Sequence, residues 1–156
     1  MNWPGLELTT VERLRILAGA RPYLAYTEIL IDASVDAVWS VAGDLEGGAP
    51  QFETALKRVE IVECLGDELQ VEARGRFGPA RTLRALLQPG YCLMTAGRME
   101  IGLAAARHES DGRTCFAHFE GVRGSGRLLK PLFQMKIERE VRTLSRLSIA
   151  VSQIGE

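Results

Sequence analysis

The spacing of apolar and polar positions changes period four times along the chain. Thr9-Thr10-Val11-Glu12 matches a capping box, with Thr9 as N-cap and Glu12 reaching back to its amide. Val11, Leu14, Leu17 and Ala18 then recur at spacings of three and four, which predicts a short helix stopping near Gly19 and Pro22. Residues 23–31 are rich in β-branched and aromatic side chains and predict a first strand. Ser34 suits the N-cap of a second helix and Asp36 its first turn, while Val35, Val38, Trp39 and Ala42 form its apolar stripe. Gly47, Gly48 and Pro50 break that helix before a third, short one that runs to about Ala55.

From Lys57 the period becomes two. Turn signals at Gly66-Asp67, Gly78-Pro79, Pro89-Gly90 and Asp111-Gly112 separate strand-like runs, as consecutive antiparallel hairpins require. Leu69, Val71, Ala73, Gly75 and Phe77 share one face of a strand, and Gln70, Glu72, Arg74 and Arg76 the other, so one side is expected to face a core and the other water. The longer interval between Pro89 and Asp111 predicts two strands that change direction somewhere in residues 97–102. Gly124-Ser125-Gly126 ends the last strand, and Pro131 is tolerable only in the first turn of a helix. Phe133, Ile137, Val141, Leu144, Leu147 and Val151 return to the helical period, with Lys136, Arg139, Glu140, Arg142 and Arg146 assigned mostly to the opposite, solvated face. A helix over residues 132–153 would be roughly 30 Å long at 1.5 Å per residue, enough to cross a whole sheet.

The order predicts an α+β fold: a curved antiparallel sheet of about seven strands wrapped on a long C-terminal helix, a helix-grip arrangement, with an extra N-terminal helix. Residues 1–22 read as an extension and residues 23–156 as the ligand-binding domain. One helix does not fill the concavity of such a sheet. The small residues Ala73, Gly75, Gly97, Gly102, Ala104, Ala105 and Ala106 are expected to leave an apolar pocket there, the default small-molecule site.

Composition changes this picture little. A hydrophobic fraction of 46% and a charged fraction of 25% over 156 residues suit one globular domain. The net charge of −1 argues against nucleic acid as a partner. Cys64, Cys92 and Cys115 lie far apart, and no CxxC pair or matching histidine spacing marks a zinc site. They read as reduced thiols of a cytoplasmic protein, and neither a metal nor a cofactor is expected. The opening Met1-Asn2-Trp3-Pro4-Gly5 has no signal-peptide pattern, and no stretch approaches the roughly 18 apolar residues of a spanning helix.

Three tracts carry a resemblance. Ile29-Leu30-Ile31-Asp32-Ala33-Ser34-Val35-Asp36-Ala37-Val38-Trp39 resembles the strand-to-helix opening of the START/Bet v 1-like (SRPBCC) superfamily, in its polyketide cyclase/dehydrase branch. Gly112-Arg113-Thr114-Cys115-Phe116-Ala117-His118-Phe119-Glu120 is similar to its penultimate turn and Thr-led strand, and residues 124–132 to its entry into the final helix. The resemblance spans residues 23–152. It implies a helix-grip fold with a deep apolar cavity for lipids, sterols, quinones or polyketides, and, in a minority of members, cyclisation or hydrolysis. The first twenty or so residues are extra to that pattern, and the loop between the first strands lacks the aromatics common there.

On this reading the leading function is binding or carrying an apolar small molecule, with Trp39, Ala73, Gly75, Phe77, Phe116, Phe133 and Ile137 as candidate lining residues. The alternative is a cyclase/aromatase-type enzyme. Thr114, Phe116, His118 and Glu120 share one strand face, so His118 and Glu120 could meet in the cavity as a general-base pair. Phe119 leaves the opposite face assignment open, and a structural role for His118 is favoured. Arg98, after Gly97 at a strand end, could pair with a ligand carboxylate at the pocket rim, although a solvated edge charge is the favoured reading. His108 sits in an ordinary hairpin end, and Ser125 in a flexible turn. The basic residues after Gly121 suit a solvated helix face or transient contact with an anionic membrane surface. A third reading is a homodimer in which Trp3, Leu6 and Leu8 pack on a second subunit.

Overall fold

The computed structural model describes residues 7–108 and 111–155. Helix α1 (Thr10–Gly19) starts at the anticipated capping box: Thr9 accepts from the Glu12 amide and Glu12 from the Thr9 amide. Strand β1 (Ala25–Ile31) leads into α2 (Val35–Ala42), capped by Ser34, and then the short α3 (Ala49–Phe52). Six further strands follow: β2 (Leu56–Leu65), β3 (Glu68–Gly75), β4 (Arg81–Gln88), β5 (Tyr91–Ala96), β6 (Met99–Arg107) and β7 (Thr114–Val122). The long helix α4 (Lys130–Ile154) closes the chain, with Pro131 in its first turn.

All seven strands form one curved antiparallel sheet in the order β1-β7-β6-β5-β4-β3-β2. Strands β1 and β2 are its two edges, so α2 and α3 carry the chain across the sheet before the meander returns. Helix α4 packs on β1 and β7 and against α2 and α3. Its Val141 and Leu144 join a core with Phe52, Val71, Met94, Leu103 and Phe116 on the concave side.

The expectation of one solvated sheet face holds for β3, whose residues alternate exposed and buried, and fails for β6 and β7, which are buried almost throughout. The reason is α1. It lies on the convex face and buries Val11, Leu14 and Ala18 against Tyr91, Ala104, Ala117 and Phe119. Polar contacts fix it there: Thr10 Oγ1 donates to the Ala105 carbonyl at 2.7 Å, and Arg15 grips Glu28 through two hydrogen bonds of 2.6 and 2.8 Å. Arg21 and Tyr23 both bind the buried Glu100.

The change of direction expected in residues 97–102 is at Gly97, whose φ of 60° suits glycine. Two further expectations are corrected. Gly102 does not vacate a pocket: a Cβ there would come within 2.4 Å of Phe119 and 2.8 Å of Leu14, so its smallness admits α1. Phe77 is not on the inner face of a strand. Strand β3 ends at Gly75, and Phe77 stands 93% exposed in the following turn. The apolar face of α1 is turned to its own sheet; of the residues expected at a subunit contact, Leu8 is exposed, and Trp3 and Leu6 lie outside the described residues.

Candidate functional site

Strand β7 presents alternate side chains to the two sides of the sheet. Phe119 points to α1, so Phe116, His118 and Glu120 point to the concave side. There His118 and Glu120 meet Glu53, from the end of α3, and Lys136 and Glu140 of α4. Glu53, His118, Glu120 and Glu140 are all buried. Lys136 Nζ donates to Glu120 at 2.6 Å, to Glu140 at 3.0 and 3.1 Å and to Glu53 at 3.4 Å. Glu140 also accepts the Thr54 amide at 2.8 Å and faces His118 Nε2 at 3.3 Å. The other ring nitrogen, Nδ1, lies 2.9 Å from the Gly102 carbonyl. A carbonyl only accepts, so Nδ1 carries a proton and Nε2 is the atom turned to the carboxylates. Glu53 Oε1 is buried without a hydrogen-bond partner, 3.4 Å from Nε2 but misaligned with it.

Burial, reinforced by the charge on Glu140, pushes Glu53 up to about 8. Burial also raises Glu120, though Lys136 opposes it. Burial works against a charged His118, but the hydrogen bond to Glu140 and the surrounding carboxylates outweigh it and hold the ring at about 9. Burial would raise Glu140 as well, yet His118 and Lys136 hold it down at about 2. At neutral pH the cations His118 and Lys136 therefore face ionised Glu140, with Glu53 largely protonated.

Glu53 and Glu120 also border a cavity of about 200 Å³ whose other walls are mainly apolar: Ala55, Leu56, Ala73, Gly75, Leu83, Ala96, Met99 and Ile101, with Phe77, Pro79 and Arg81 also lining it. It opens where β3 ends and β4 begins, and α4 contributes no lining residue. Most of the deep concavity implied by the resemblance is filled by Phe52, Met94, Leu103, Phe116, Val141 and Leu144. A larger hollow of about 480 Å³, lined by Lys57, Arg58, Glu60, Glu72, Arg74 and Ala80, is a shelf of mostly charged side chains without the enclosure a small apolar molecule needs.

Of the residues singled out from sequence, Ala73, Gly75, Phe77 and Glu120 thus border one cavity. His118 lies behind it, joined to Glu53 and Glu140. Phe116 and Ile137 are fully buried in the core, and Trp39 packs against the same core from α2. Phe133 is half-buried near the start of α4. Arg98 is exposed in the β5–β6 turn, where its carbonyl accepts the Arg123 amide. His108 and Arg113 both contact Asp111 in the β6–β7 turn, and Ser125 Oγ donates to the Val122 carbonyl; Glu109 and Ser110 lie outside the described residues.

The assignment of Lys136 and Glu140 to a solvated face is corrected: Glu140 is fully buried and Lys136 turns inward to reach it. A signal was present. Glu140 stands three residues after Ile137 and four before Leu144, on the apolar stripe itself. Glu53, at a helix end among polar neighbours, carried no such mark. The four possible metal ligands come from three separate elements, so no local spacing could display them.

No protein-family model matches the sequence, and no curated protein matches it. Solved structures do. The chain aligns with the Zhui aromatase/cyclase from Streptomyces sp. R1128 at a TM-score of 0.54 and 18% identity, over 83% of this chain and 93% of that one. It aligns with a START superfamily protein from Mycobacterium smegmatis at 0.58 and 14%, over 85% and 99%. The di-domain ARO/CYC StfQ from the steffimycin biosynthetic pathway aligns at 0.58 and 10%, over 92% of this chain and 54% of its own. At these identities the likeness establishes the fold, the helix-grip arrangement of START-like and aromatase/cyclase proteins.

Proposed function

We propose that the chain binds a small apolar molecule in the 200 Å³ cavity, with the molecule's polar group against Glu53 and Glu120. The observation that carries this reading is the pairing of apolar walls with two buried carboxylates, the combination that gives a pocket both affinity and orientation. The volume sets the scale. Drug-sized sites measure roughly 300–1,000 Å³, so a compact ring system or short chain fits better than a sterol. The test is titration with solvatochromic apolar probes. Ala73→Leu should weaken binding by at least about tenfold, since it adds bulk to a lining position, while far-UV circular dichroism stays unchanged. Equal affinity in that variant, or no probe binding by the wild type, overturns the reading.

A second reading, a cyclase-type enzyme, draws on the fold shared with two aromatase/cyclases and on the same two carboxylates. It moves the reacting groups from the pair His118 and Glu120 to the pair Glu53 and Glu120, because His118 does not border the cavity. Under it, Glu53→Gln and Glu120→Gln would abolish turnover of a cyclisable substrate and leave its binding within a few fold. Turnover surviving in both variants sinks it.

A further inference from the structure

We propose that Glu53, His118, Glu120 and Glu140 form a site for one divalent first-row transition-metal ion, and that Lys136 is a built-in cation which the ion displaces. One ligand atom from each of the four residues lies within 4.8 Å of all the others. Metal–oxygen and metal–nitrogen bonds of roughly 2.0–2.2 Å place cis ligands about 3 Å apart and trans ligands a little over 4 Å, so only small side-chain shifts would close the shell. The ligands sit on β7, on α4 and just after α3, three elements packed into one core.

His118 is set as a ligating histidine usually is. Its Nδ1–H is held by the Gly102 carbonyl, which fixes the tautomer and aims Nε2 at the carboxylates. Glu53 Oε1 is the independent observation. A buried carboxyl oxygen without a hydrogen-bond partner is rare, and a bound cation would satisfy it. Lys136 shows what the cluster selects: its ammonium stands among Glu53, Glu120 and Glu140 at 2.6–3.4 Å. Its side chain keeps 22% of its surface exposed, so the ammonium has a way out to solvent when an ion arrives. Three carboxylates and one imidazole are a hard-to-borderline donor set, suited to Mn²⁺, Fe²⁺ or Zn²⁺ rather than to thiophilic ions. Two of the carboxylates border the cavity, so an ion held there would be reachable by an oxygen of the cavity's occupant.

The proposal stands apart from the choice of apolar ligand, because metal binding is measured with the cavity's ligand absent. The experiment is isothermal titration of the chelator-stripped full chain with Zn²⁺ and Mn²⁺, backed by the absorption bands of Co²⁺. The expected result is one ion per chain with a thermal shift that Mg²⁺ does not reproduce. His118→Gln and Glu140→Gln should each weaken binding by at least about tenfold, the scale of losing a ligand or its support. Lys136→Met should strengthen it by a similar factor, since the internal competitor is gone. His108→Gln, beside Asp111 on the surface, should change nothing. Lack of a one-to-one complex in the wild type overturns the proposal even if a variant fails to fold. So does binding that survives in the His118 and Glu140 variants but falls with His108→Gln, which would mark an adventitious surface site.

Discussion

Replacing Glu140 by glutamine tests the buried cluster most directly. The change keeps the shape of the side chain and removes its charge. In the native protein that charge faces His118 Nε2 at 3.3 Å, Lys136 Nζ at 3.0 Å and the Thr54 amide at 2.8 Å, with no solvent exposure. The amide oxygen of glutamine still accepts one of these donors, but two buried cations lose the anion that stabilised them. Breaking a buried pair from one side costs about 3–5 kcal/mol. Glu53, freed of its charged neighbour, then ionises more readily and offsets part of the loss, so we expect the lower end, about 3 kcal/mol. For a chain of this size that is a fall in Tm of roughly 6–12 °C. The assay is urea unfolding of the metal-free protein, checked for an unchanged m-value, with Glu138→Gln as control. Glu138 lies two residues away on the same helix, is exposed, and should shift stability by no more than about 0.5 kcal/mol. Equal losses in the two variants would refute the reasoning, because the cluster would then contribute no more than a surface charge.

Two other outcomes follow from the structure. Leu14→Ala should cost about 2–5 kcal/mol, because Leu14 is fully buried between α1 and the sheet; a loss below about 1 kcal/mol in thermal melts would make residues 1–22 a dispensable appendage. The stability of the metal-free protein should fall as pH rises from 6.5 to 8. Glu53, raised to about 8, loses its contribution progressively above its unfolded value of 4.5, and His118, raised to about 9, loses its own from 6.5 upward, with Glu120, Lys136 and Glu140 facing both. Each proton contributes a slope of up to about 1.4 kcal/mol per pH unit. Glu140 acts in the opposite sense and matters only as pH falls from 4.5 toward 2. A Tm that is flat or rising between pH 6.5 and 8.5 contradicts this.

The fold was legible because its signals are local. The capping box at Thr9, the Ser34 cap, the turn glycines and the stripe through Ile137, Val141 and Leu144 each report on neighbours a few residues away. What escaped was set by distant partners. Phe119 was ambiguous because a strand's alternation cannot say that a helix over ninety residues earlier covers its outer face. Gly102 and Ala104 looked like room for a ligand for the same reason, when they are room for Leu14 and Phe119. The candidate site was half visible. His118 and Glu120 share a strand and can be paired on paper, whereas Glu53 and Glu140 reach them only through the packing of α3 against α4 and of α4 on β7. A charged residue on an apolar stripe, as at Glu140, is the clue that deserves more weight.

The two unlike sides of β7 also bear on how the sheet assembles. A hairpin strand that buries one side against oil and shows the other to water can slide by two residues at modest cost. Strand β7 has little such freedom. Sliding by one would thrust His118 and Glu120 under Leu14 and Val11, and drive the Phe119 ring among Lys136, Glu53 and Glu140. Sliding by two would take Phe119 away from Gly102, the one cross-strand partner on β6 with no side chain in its way. The buried charges and the glycine opposite Phe119 together work as a key cut on both edges, which turns in one position only. Misaligned sheets should be weeded out early in folding, when β7 docks between β1 and β6 and either finds both of its locks or falls away.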